Sequence, residues 1–388
     1  MRVITVIFLV SAFASRAQKQ NDSFLLSRTS QPLAMLAYSL RQDALGGAKL
    51  GYLDTSVLLK IVDSSDSMYK VQLSKSHTAY ISRDDVRIDT AATTPPFYLT
   101  SSFSVTGNEF YDYVNISLGE KLPYKSWMEV DPARIFLDIY GVQSNTYWIA
   151  QLRSVKEIKD VYFNQAEDDV VRVTIELKHK QHWGYSVYYN NNMLRIRIRR
   201  QPESLKVKKL FIAVDAGHGG ENEGALGVTG KVPEKTYTLR LANELEKCLR
   251  RKGAKVLMTR TSDTDINNTE RVMLLQSAMP DLLISLHFNS SANTNVLGAS
   301  TYYKHIGFRS LSTAILDRLL QLDLSEFGNV GNFNSTLNAP TDFPNTLAEI
   351  AFLSNAVDEK KIMDARFQRA TARKIFKGIK DWLKIVRE

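Results

Sequence analysis

Two histidines and a glutamate have the residue types and the placement of a metal-binding set. His218 lies in a Gly-His-Gly-Gly turn directly after an apolar run, and His287 ends a second apolar run. Glu234 opens an amphipathic stretch of the chain. Two imidazoles and one carboxylate form a common zinc set that leaves one position for water. Zinc lowers the pKa of such a water molecule to about 7, so the set predicts hydrolysis assisted by one Zn2+ ion.

A second carboxylate, Glu349, interrupts the apolar run at residues 347–352. A buried carboxylate is costly unless it is paired or lies at an open end, so its presence in this run needs a reason. Hydrolysis of an amide requires a group that takes a proton from water and returns it to the leaving amine. We therefore expect Glu349 to be the catalytic carboxylate.

Each of these residues also has an ordinary structural interpretation. A single histidine is more often a buried, hydrogen-bonded residue than a metal ligand. A glutamate at the start of a helix is favoured by the helix dipole, and Glu349 alone could belong to a buried ion pair. Only the whole set, placed at element ends within one α/β region, favours a metal site.

The elements that must position this set alternate between strands and helices from residue 209 onward. The pattern predicts strands at residues 210–214, 255–259, 281–286, 299–303 and 346–352, and helices at residues 234–251, 267–278, 308–322 and 367–386. Such alternation is typical of an α/β domain with helices on both faces of one sheet, which we place at residues 208–388. Ligand sites of such sheets gather at strand ends, where the polar set lies.

The motifs of this region, in their order, resemble those of the zinc-dependent N-acetylmuramoyl-L-alanine amidases of the AmiC type. The resemblance covers about residues 209–386. It rests on the segments 215–220, 234–235, 259–260, 285–289 and 349–355, and on Arg271. In that family the histidine of Gly-His-Gly-Gly, the glutamate of Glu-Lys and the histidine of Ser-x-His-x-Asn bind zinc, and the glutamate before Phe-Leu-Ser-Asn is catalytic. The resemblance thus implies His218, Glu234 and His287 as zinc ligands and Glu349 as the catalytic residue.

The same resemblance implies hydrolysis of the amide between N-acetylmuramic acid and the L-alanine of the stem peptide. Peptidoglycan is then the substrate, and a protein activator is a possible partner. Two alternatives stay open: a wall-binding or activating protein without activity, and a zinc peptidase that cuts within the stem peptide. Segment 221–225 departs from the family's usual Asp-Pro-Gly-Ala without removing a ligand. We expect Arg271 to be structural and Asn289 to orient a ligand or contact the substrate.

Two regions of alternating apolar and polar residues precede the α/β domain and predict two small all-β domains. Residues 40–90 have the short runs and turn spacing of a small barrel, and the strands at 69–71 and 79–81 resemble the closing half of bacterial SH3-like domains. Residues 97–202 follow a linker with two prolines and have the period of two that is typical of a sandwich. They resemble the AMIN domain, which implies a role in placing the enzyme on the wall. The first region could equally be a structural barrel without a ligand. Within the second, His179 and His182 are expected at the surface.

The first residues predict export. Residues 1–2 give a minimal cationic start, residues 3–14 are almost entirely apolar, and Ser15 and Ala17 are small residues suited to cleavage. The interpretation is a signal peptide at residues 1–17, with the periplasm as the destination, or else secretion or association with the wall. A short membrane anchor or a buried first helix is the alternative. The rest of the chain has no apolar run approaching the ~20 residues that a bilayer requires.

The composition is that of a folded protein with more than one domain. The chain has 388 residues, of which 44% are hydrophobic and 23% are charged. Its single cysteine, Cys248, excludes an internal disulfide. A formal net charge of +9 favours polyanionic partners. Because no nucleic-acid-binding signature accompanies the charge, we interpret it as affinity for wall polymers or membrane surfaces and expect no nucleic-acid partner.

Overall fold

The computed structural model describes residues 24–40, 49–65, 67–95, 97–230 and 233–387. The predicted signal peptide at residues 1–17 lies outside these ranges. Within them, the chain forms four β-sheets; the second and third are built from interleaved strands of one sandwich, and the described α-helices pack against the fourth sheet. The chain is therefore built from several units, with β-structure first and an α/β unit at the carboxyl end.

The first unit is a sheet of seven strands, each antiparallel to its neighbours. The strands are β1 (Leu25–Thr29), β2 (Ala34–Ala37), β3 (Lys49–Leu53), β4 (Leu58–Ser64), β5 (Met68–Gln72), β6 (Thr78–Ser82) and β7 (Val86–Ile88). Their order is β3-β2-β6-β5-β4-β1-β7. The sheet therefore includes two strands that come before residue 40, where the sequence predicted this domain to begin.

The second unit is a sandwich of two sheets between residues 98 and 199. Its strands are β8 (Tyr98–Gly107), β9 (Tyr111–Leu118), β10 (Tyr124–Val130), β11 (Ala133–Tyr140), β12 (Val142–Gln143), β13 (Ile149–Gln151), β14 (Ile158–Glu167), β15 (Val170–Leu177), β16 (Tyr185–Asn190) and β17 (Met193–Arg199). One sheet has the order β10-β11-β15-β14 and the other β12-β8-β9-β17-β16, with β13 paired to β8. Along β17 buried and half-buried residues alternate, as a period of two requires, whereas six of the eight residues of β15 are buried.

The third unit is a six-stranded mixed sheet with helices on both faces. It consists of β18 (Phe211–Ala216), α1 (Glu234–Arg251), β19 (Lys255–Met258), α2 (Asn268–Ala278), β20 (Leu282–Asn289), β21 (Ala299–Tyr302), α3 (Arg309–Leu319), β22 (Glu326–Val330), β23 (Asn345–Phe352), α4 (Ala356–Met363) and α5 (Ala365–Ile385). The strand order is β19-β18-β20-β23-β21-β22. β18, β20 and β23 are parallel neighbours at the centre, so their carboxyl ends lie at one edge.

Local sequence explains where the helices of this unit begin and end. The Asn267 side chain accepts a hydrogen bond from the backbone amide of Glu270, and the Glu270 side chain accepts one from the backbone amide of Asn267. This pair of hydrogen bonds is a capping box at the start of α2. Gly253 follows the end of α1 with a φ of +84°, a conformation that glycine adopts without strain. Buried apolar residues along α1, α3 and α5 pack on the same face of the sheet, while Leu275 of α2 packs on the opposite face.

The sandwich and the α/β unit share buried contacts. Trp183 belongs to the α/β core, where its ring lies 5.2 Å from that of Trp382, and Phe308 belongs to the sandwich core. The Tyr185 amide donates to the Thr341 carbonyl at 2.8 Å. A Cβ on Gly184 would lie 2.2 Å from the Asp342 carbonyl oxygen, so only glycine permits this approach of the two backbones. No α-helix in the described parts of the chain is long and apolar enough to span a membrane.

The expectation that His182 lies at the surface is wrong. Its side chain is 1% exposed at this junction, where Nε2 donates to the Glu129 carbonyl at 2.6 Å and the ring contacts Gly307. The spacing of two histidines predicted opposite strand faces, but residues 178–183 form a bend that turns His182 inward. His179 remains half-exposed and lies 2.7 Å from Glu157.

Burial at this junction predicts a pH-dependent loss of stability. It lowers the pKa of His182 from 6.5 to about 4, because an imidazolium without solvent is disfavoured. The pKa of His182 is lower in the folded protein than in the unfolded one. Its contribution to the free energy of unfolding is therefore fully present above pH 6.5 and is lost as the pH falls to about 4. The loss from His182 amounts to about 3 kcal/mol. Urea unfolding of the wild type and of His182→Gln across this range measures it, and identical pH slopes for the two proteins would contradict the prediction.

Candidate metal centre

His218 occupies a tight turn directly after β18. Its backbone has a φ of +61°, and Gly219 and Gly220 follow with φ values of +132° and +58°. A left-handed conformation costs free energy in any residue with a Cβ, so it persists only where the surroundings impose it. A hydrogen bond fixes the orientation of the imidazole ring, because Asn222 Oδ1 lies 2.8 Å from His218 Nδ1. A proton on Nδ1 leaves the lone pair on Nε2, the nitrogen that lies 3.0 Å from Glu234 Oε2.

Two buried arginines impose this turn by donating to its carbonyl oxygens. Arg271 donates to Ala216 at 2.7 Å and to His218 at 2.6 Å, and it forms a 2.6 Å ion pair with Asp215. Arg260 donates to Ala216 and Gly217, each at 2.9 Å. Asp215 is completely buried and also accepts from Thr259 and Ser285. Burial opposes the ionisation of Asp215, but the Arg271 charge and these hydrogen bonds outweigh it and lower its pKa. The expected structural role of Arg271 matches these contacts.

Glu234 is the first residue of α1 and is 4% exposed. Its carboxylate is fixed by two backbone amides, since Ala225 donates to Oε2 and Phe288 donates to Oε1, each at 2.9 Å. The partial positive charge of the helix start also favours the ionised form. Both carboxylate oxygens are therefore held in place by neighbouring chain segments.

His287 extends from the end of β20 toward the same point. Its Nδ1 lies 3.1 Å from Glu234 Oε1, and the His218 Nε2 lies 3.0 Å from Glu234 Oε2. A Cβ on Gly217 would lie 2.3 Å from the His287 ring, so the first glycine of the turn makes room for this imidazole. The structure thus brings His218, Glu234 and His287 together, with one ligand atom of each within 4.8 Å of the others.

The pKa values of Glu234 and His218 depend on the neighbouring side chains of the cluster. Burial opposes the ionisation of Glu234, but hydrogen bonds from His218 and His287 outweigh it and lower the pKa of Glu234 well below its ordinary value. Burial likewise opposes protonation of His218, yet the hydrogen bond and charge of Glu234 raise the pKa of His218 overall. Glu234 therefore stays ionised beside the two histidines. A zinc ion that displaced their protons would be bound by one carboxylate and two imidazoles, a donor set that zinc accepts.

Glu349 lies on β23, beside His287 on β20, with which it is paired in register. Its side chain is partly accessible, and its buried Oε2 has no hydrogen-bond partner among the described residues. Burial, reinforced by the negative charge of Glu234, raises the pKa of Glu349 well above its ordinary value. A buried carboxyl oxygen without a partner next to a ligand cluster needs an explanation, and a catalytic role is one.

Several neighbours of the cluster were not singled out from the sequence. The Lys235 ammonium donates to the Gly220 carbonyl at 2.7 Å and pairs with Asp263 at 2.9 Å, so it braces the far side of the turn. Tyr302 accepts from Asn289 at 3.3 Å and from Ser300 at 3.2 Å. Asn289 thus contacts a tyrosine of β21, which lies two strands away in the sheet, rather than one of the three clustered side chains. The sequence feature that could have indicated the contact between Asn289 and Tyr302 is that each is a polar residue at the end of a strand.

A family model described as N-acetylmuramoyl-L-alanine amidase matches residues 212–381. The probable cell wall amidase LytH of Staphylococcus epidermidis is 30% identical over 200 residues, which are 51% of this chain and 67% of the relative. The protein of the same name from Staphylococcus aureus is 31% identical over 170 residues, 44% of this chain and 57% of the relative. The chain therefore spans about two thirds or less of these relatives.

Solved structures with a similar fold include the catalytic domain of the N-acetylmuramoyl-L-alanine amidase CwlV from Paenibacillus polymyxa. It is 29% identical, with a TM-score of 0.44, over 45% of this chain and 99% of that one. The CwlD amidase from Clostridioides difficile, solved in complex with the GerS lipoprotein, is 24% identical with a TM-score of 0.43. It covers 46% of this chain and 100% of that one.

Proposed function

We propose that this chain, which belongs to the N-acetylmuramoyl-L-alanine amidase family, hydrolyses the amide between the lactyl group of N-acetylmuramic acid and the L-alanine of the stem peptide. The observation that carries the proposal is the convergence of His218, Glu234 and His287 within 4.8 Å, with Glu349 on the adjoining strand. Three ligands of this kind with a carboxylate beside them are the parts that a zinc-dependent hydrolase needs.

The residues of the chain have distinct roles in this proposal. His218, Glu234 and His287 hold a zinc ion, which when bound polarises the scissile carbonyl and makes water acidic. Asn222 and the two backbone amides that bind Glu234 keep the ligand atoms in place. The Glu349 carboxylate, whose side chain is partly accessible, would accept a proton from the attacking water and return it to the alanine nitrogen as the carbon–nitrogen bond breaks.

The setting of the enzyme is part of the same proposal. We propose that it acts outside the cytoplasm on peptidoglycan, as the names of its cell wall relatives suggest. Residues 1–17 then serve as a signal peptide, and the domains are an SH3-like barrel at 40–90, an AMIN-like sandwich at 97–202 and the catalytic domain at 208–388. The two β-domains place the catalytic domain on the wall, and a protein activator remains a possible partner.

Digestion of purified sacculi tests the cleavage site. We expect mass spectrometry of the soluble products to show intact stem peptides with a free amino-terminal L-alanine. Enzyme depleted of metal with a chelator should release none until Zn2+ is restored. Truncated stem peptides would instead identify a peptidase, and binding to sacculi without release of peptides would identify a protein without this activity.

A further inference from the structure

Six cations form one stripe along the solvent face of α5, the 21-residue helix that ends the described chain. They follow one another at intervals of three or four residues, which places them on one face of a helix. All six are exposed: Arg366, Arg369, Arg373, Lys377, Lys380 and Lys384. At 1.5 Å per residue the helix is about 31 Å long, and the stripe from Arg366 to Lys384 extends over about 27 Å of it.

The charge of this stripe is almost unopposed. Among the described residues, Lys384 is the one member with a salt bridge, a 3.8 Å contact with Asp381. Asp381 itself is held at 2.5 Å by Arg318, which lies on α3. The other five cations have no carboxylate within salt-bridge distance in the described ranges. Such a row produces a positive potential that extends into solvent and attracts anions.

The stripe leads into a groove at the carboxyl end of α5, where more cations meet an apolar floor. The groove has a volume of about 350 Å³ and lies between α5, the end of α1 and residues 205–208. Its floor consists of Leu205, Val207, Phe376 and Leu383. Its rim is basic throughout: Lys206, Lys208, Lys252, Lys380, Lys384 and Arg387.

We propose that the α5 stripe and this groove, together the basic face, bind the surface of a bilayer that contains anionic phospholipids. Headgroup phosphates pair with the cations, while the apolar floor of the groove receives the less polar region beneath the headgroups. A linear, fully hydrophilic polyanion would satisfy the stripe but would leave the apolar floor without a partner. The combination of both features therefore favours a membrane surface.

The basic face is separate from the metal centre. The buried side of α5 packs on α1 and α3, so its stripe is on the outside of the helical layer, whereas the metal ligands lie at the carboxyl ends of the central strands. Binding through this face leaves the edge of the sheet that carries the metal ligands accessible. No residue of the face belongs to the ligand cluster, so the inference does not depend on the proposed function.

Co-sedimentation with vesicles tests the inference, using the full chain without residues 1–17. The probes are vesicles of phosphatidylglycerol mixed with phosphatidylcholine, and vesicles of phosphatidylcholine alone. The variant Arg373→Glu/Lys377→Glu/Lys380→Glu reverses the centre of the stripe. Arg153→Glu/Lys178→Glu/Lys180→Glu is its control: these three cations are exposed on the sandwich, and both variants lower the net charge equally. Circular dichroism and the midpoint of urea unfolding establish that each variant is folded.

We expect the wild type to sediment with phosphatidylglycerol vesicles and not with phosphatidylcholine alone. The α5 variant should bind at least about tenfold more weakly, while the control variant stays close to the wild type. Raising the salt from about 0.1 M to about 1 M should release the protein, because the Debye length falls from about 10 Å to about 3 Å. Equal loss in both variants, or undiminished binding by the α5 variant, would overturn the proposal. So would binding to soluble polyphosphate without binding to vesicles.

Discussion

Replacing Glu349 with glutamine is expected to lower the rate of stem-peptide release by about 10²- to 10⁴-fold. Glutamine has nearly the same shape but cannot take a proton from water at neutral pH. Because Glu349 Oε2 has no hydrogen-bond partner among the described residues, the change removes no contact that the fold depends on. The rate is measured on purified sacculi, and the zinc content of the same preparation is measured by elemental analysis.

The zinc content separates a catalytic role from a structural one. We expect Glu349→Gln to keep one zinc per chain, since the ligands are His218, Glu234 and His287. Glu326→Gln is the matched control, because Glu326 is an exposed glutamate of the same sheet, and it should retain full activity. Full activity in Glu349→Gln would rule out the assigned role, and loss of zinc with loss of activity would make Glu349 a part of the metal site.

Replacing Arg271 with methionine is expected to lower the free energy of unfolding by about 3–5 kcal/mol. The change leaves Asp215 as an unpaired carboxylate that is 0% exposed, and it removes the donors to the Ala216 and His218 carbonyl oxygens. Equilibrium unfolding in urea, with zinc removed from both proteins, measures the difference. Removing zinc keeps metal affinity from contributing to the comparison.

Two further variants identify the cause of that loss. In Asp215→Asn/Arg271→Met neither member of the ion pair is left without its partner, so the double variant should be less destabilised than the two single changes predict together. In Arg250→Met the lost partner is Glu246 in an exposed pair, which is worth no more than about 1 kcal/mol. An Arg271→Met protein as stable as Arg250→Met would show that the buried pair does not stabilise the turn.

The placement of the metal ligands could be predicted because it depends on local features. A glycine-rich turn after an apolar strand, a glutamate at a helix start and a histidine at a strand end are each visible in a few consecutive residues. In a parallel sheet the carboxyl ends of neighbouring strands meet at one edge, so His218 and His287 were expected near each other. The observed order β18-β20-β23 brings Glu349 to the same edge.

Other features depend on contacts between distant segments, which no local pattern reveals. His182 is buried because Gly307 and the Glu129 carbonyl lie against it, more than fifty residues away in each case. The short helix α4 was not predicted, although Asn355 caps its first turn through two backbone amides. Nor was β22 predicted, because its partly exposed residues Glu326–Val330 lack the apolar run of a central strand.

The exchange of Trp183 and Phe308 between the two cores has a consequence for cooperativity. Trp183 comes from the sandwich but is buried in the α/β core, and Phe308 comes from the α/β unit but is buried in the sandwich core. Unfolding of either unit would therefore expose part of the core of the other. We therefore expect the units on either side of the boundary near residue 202 to unfold in a single transition. A denaturation midpoint reported by either unit describes both, and a destabilised sandwich lowers the fraction of molecules with an intact metal centre.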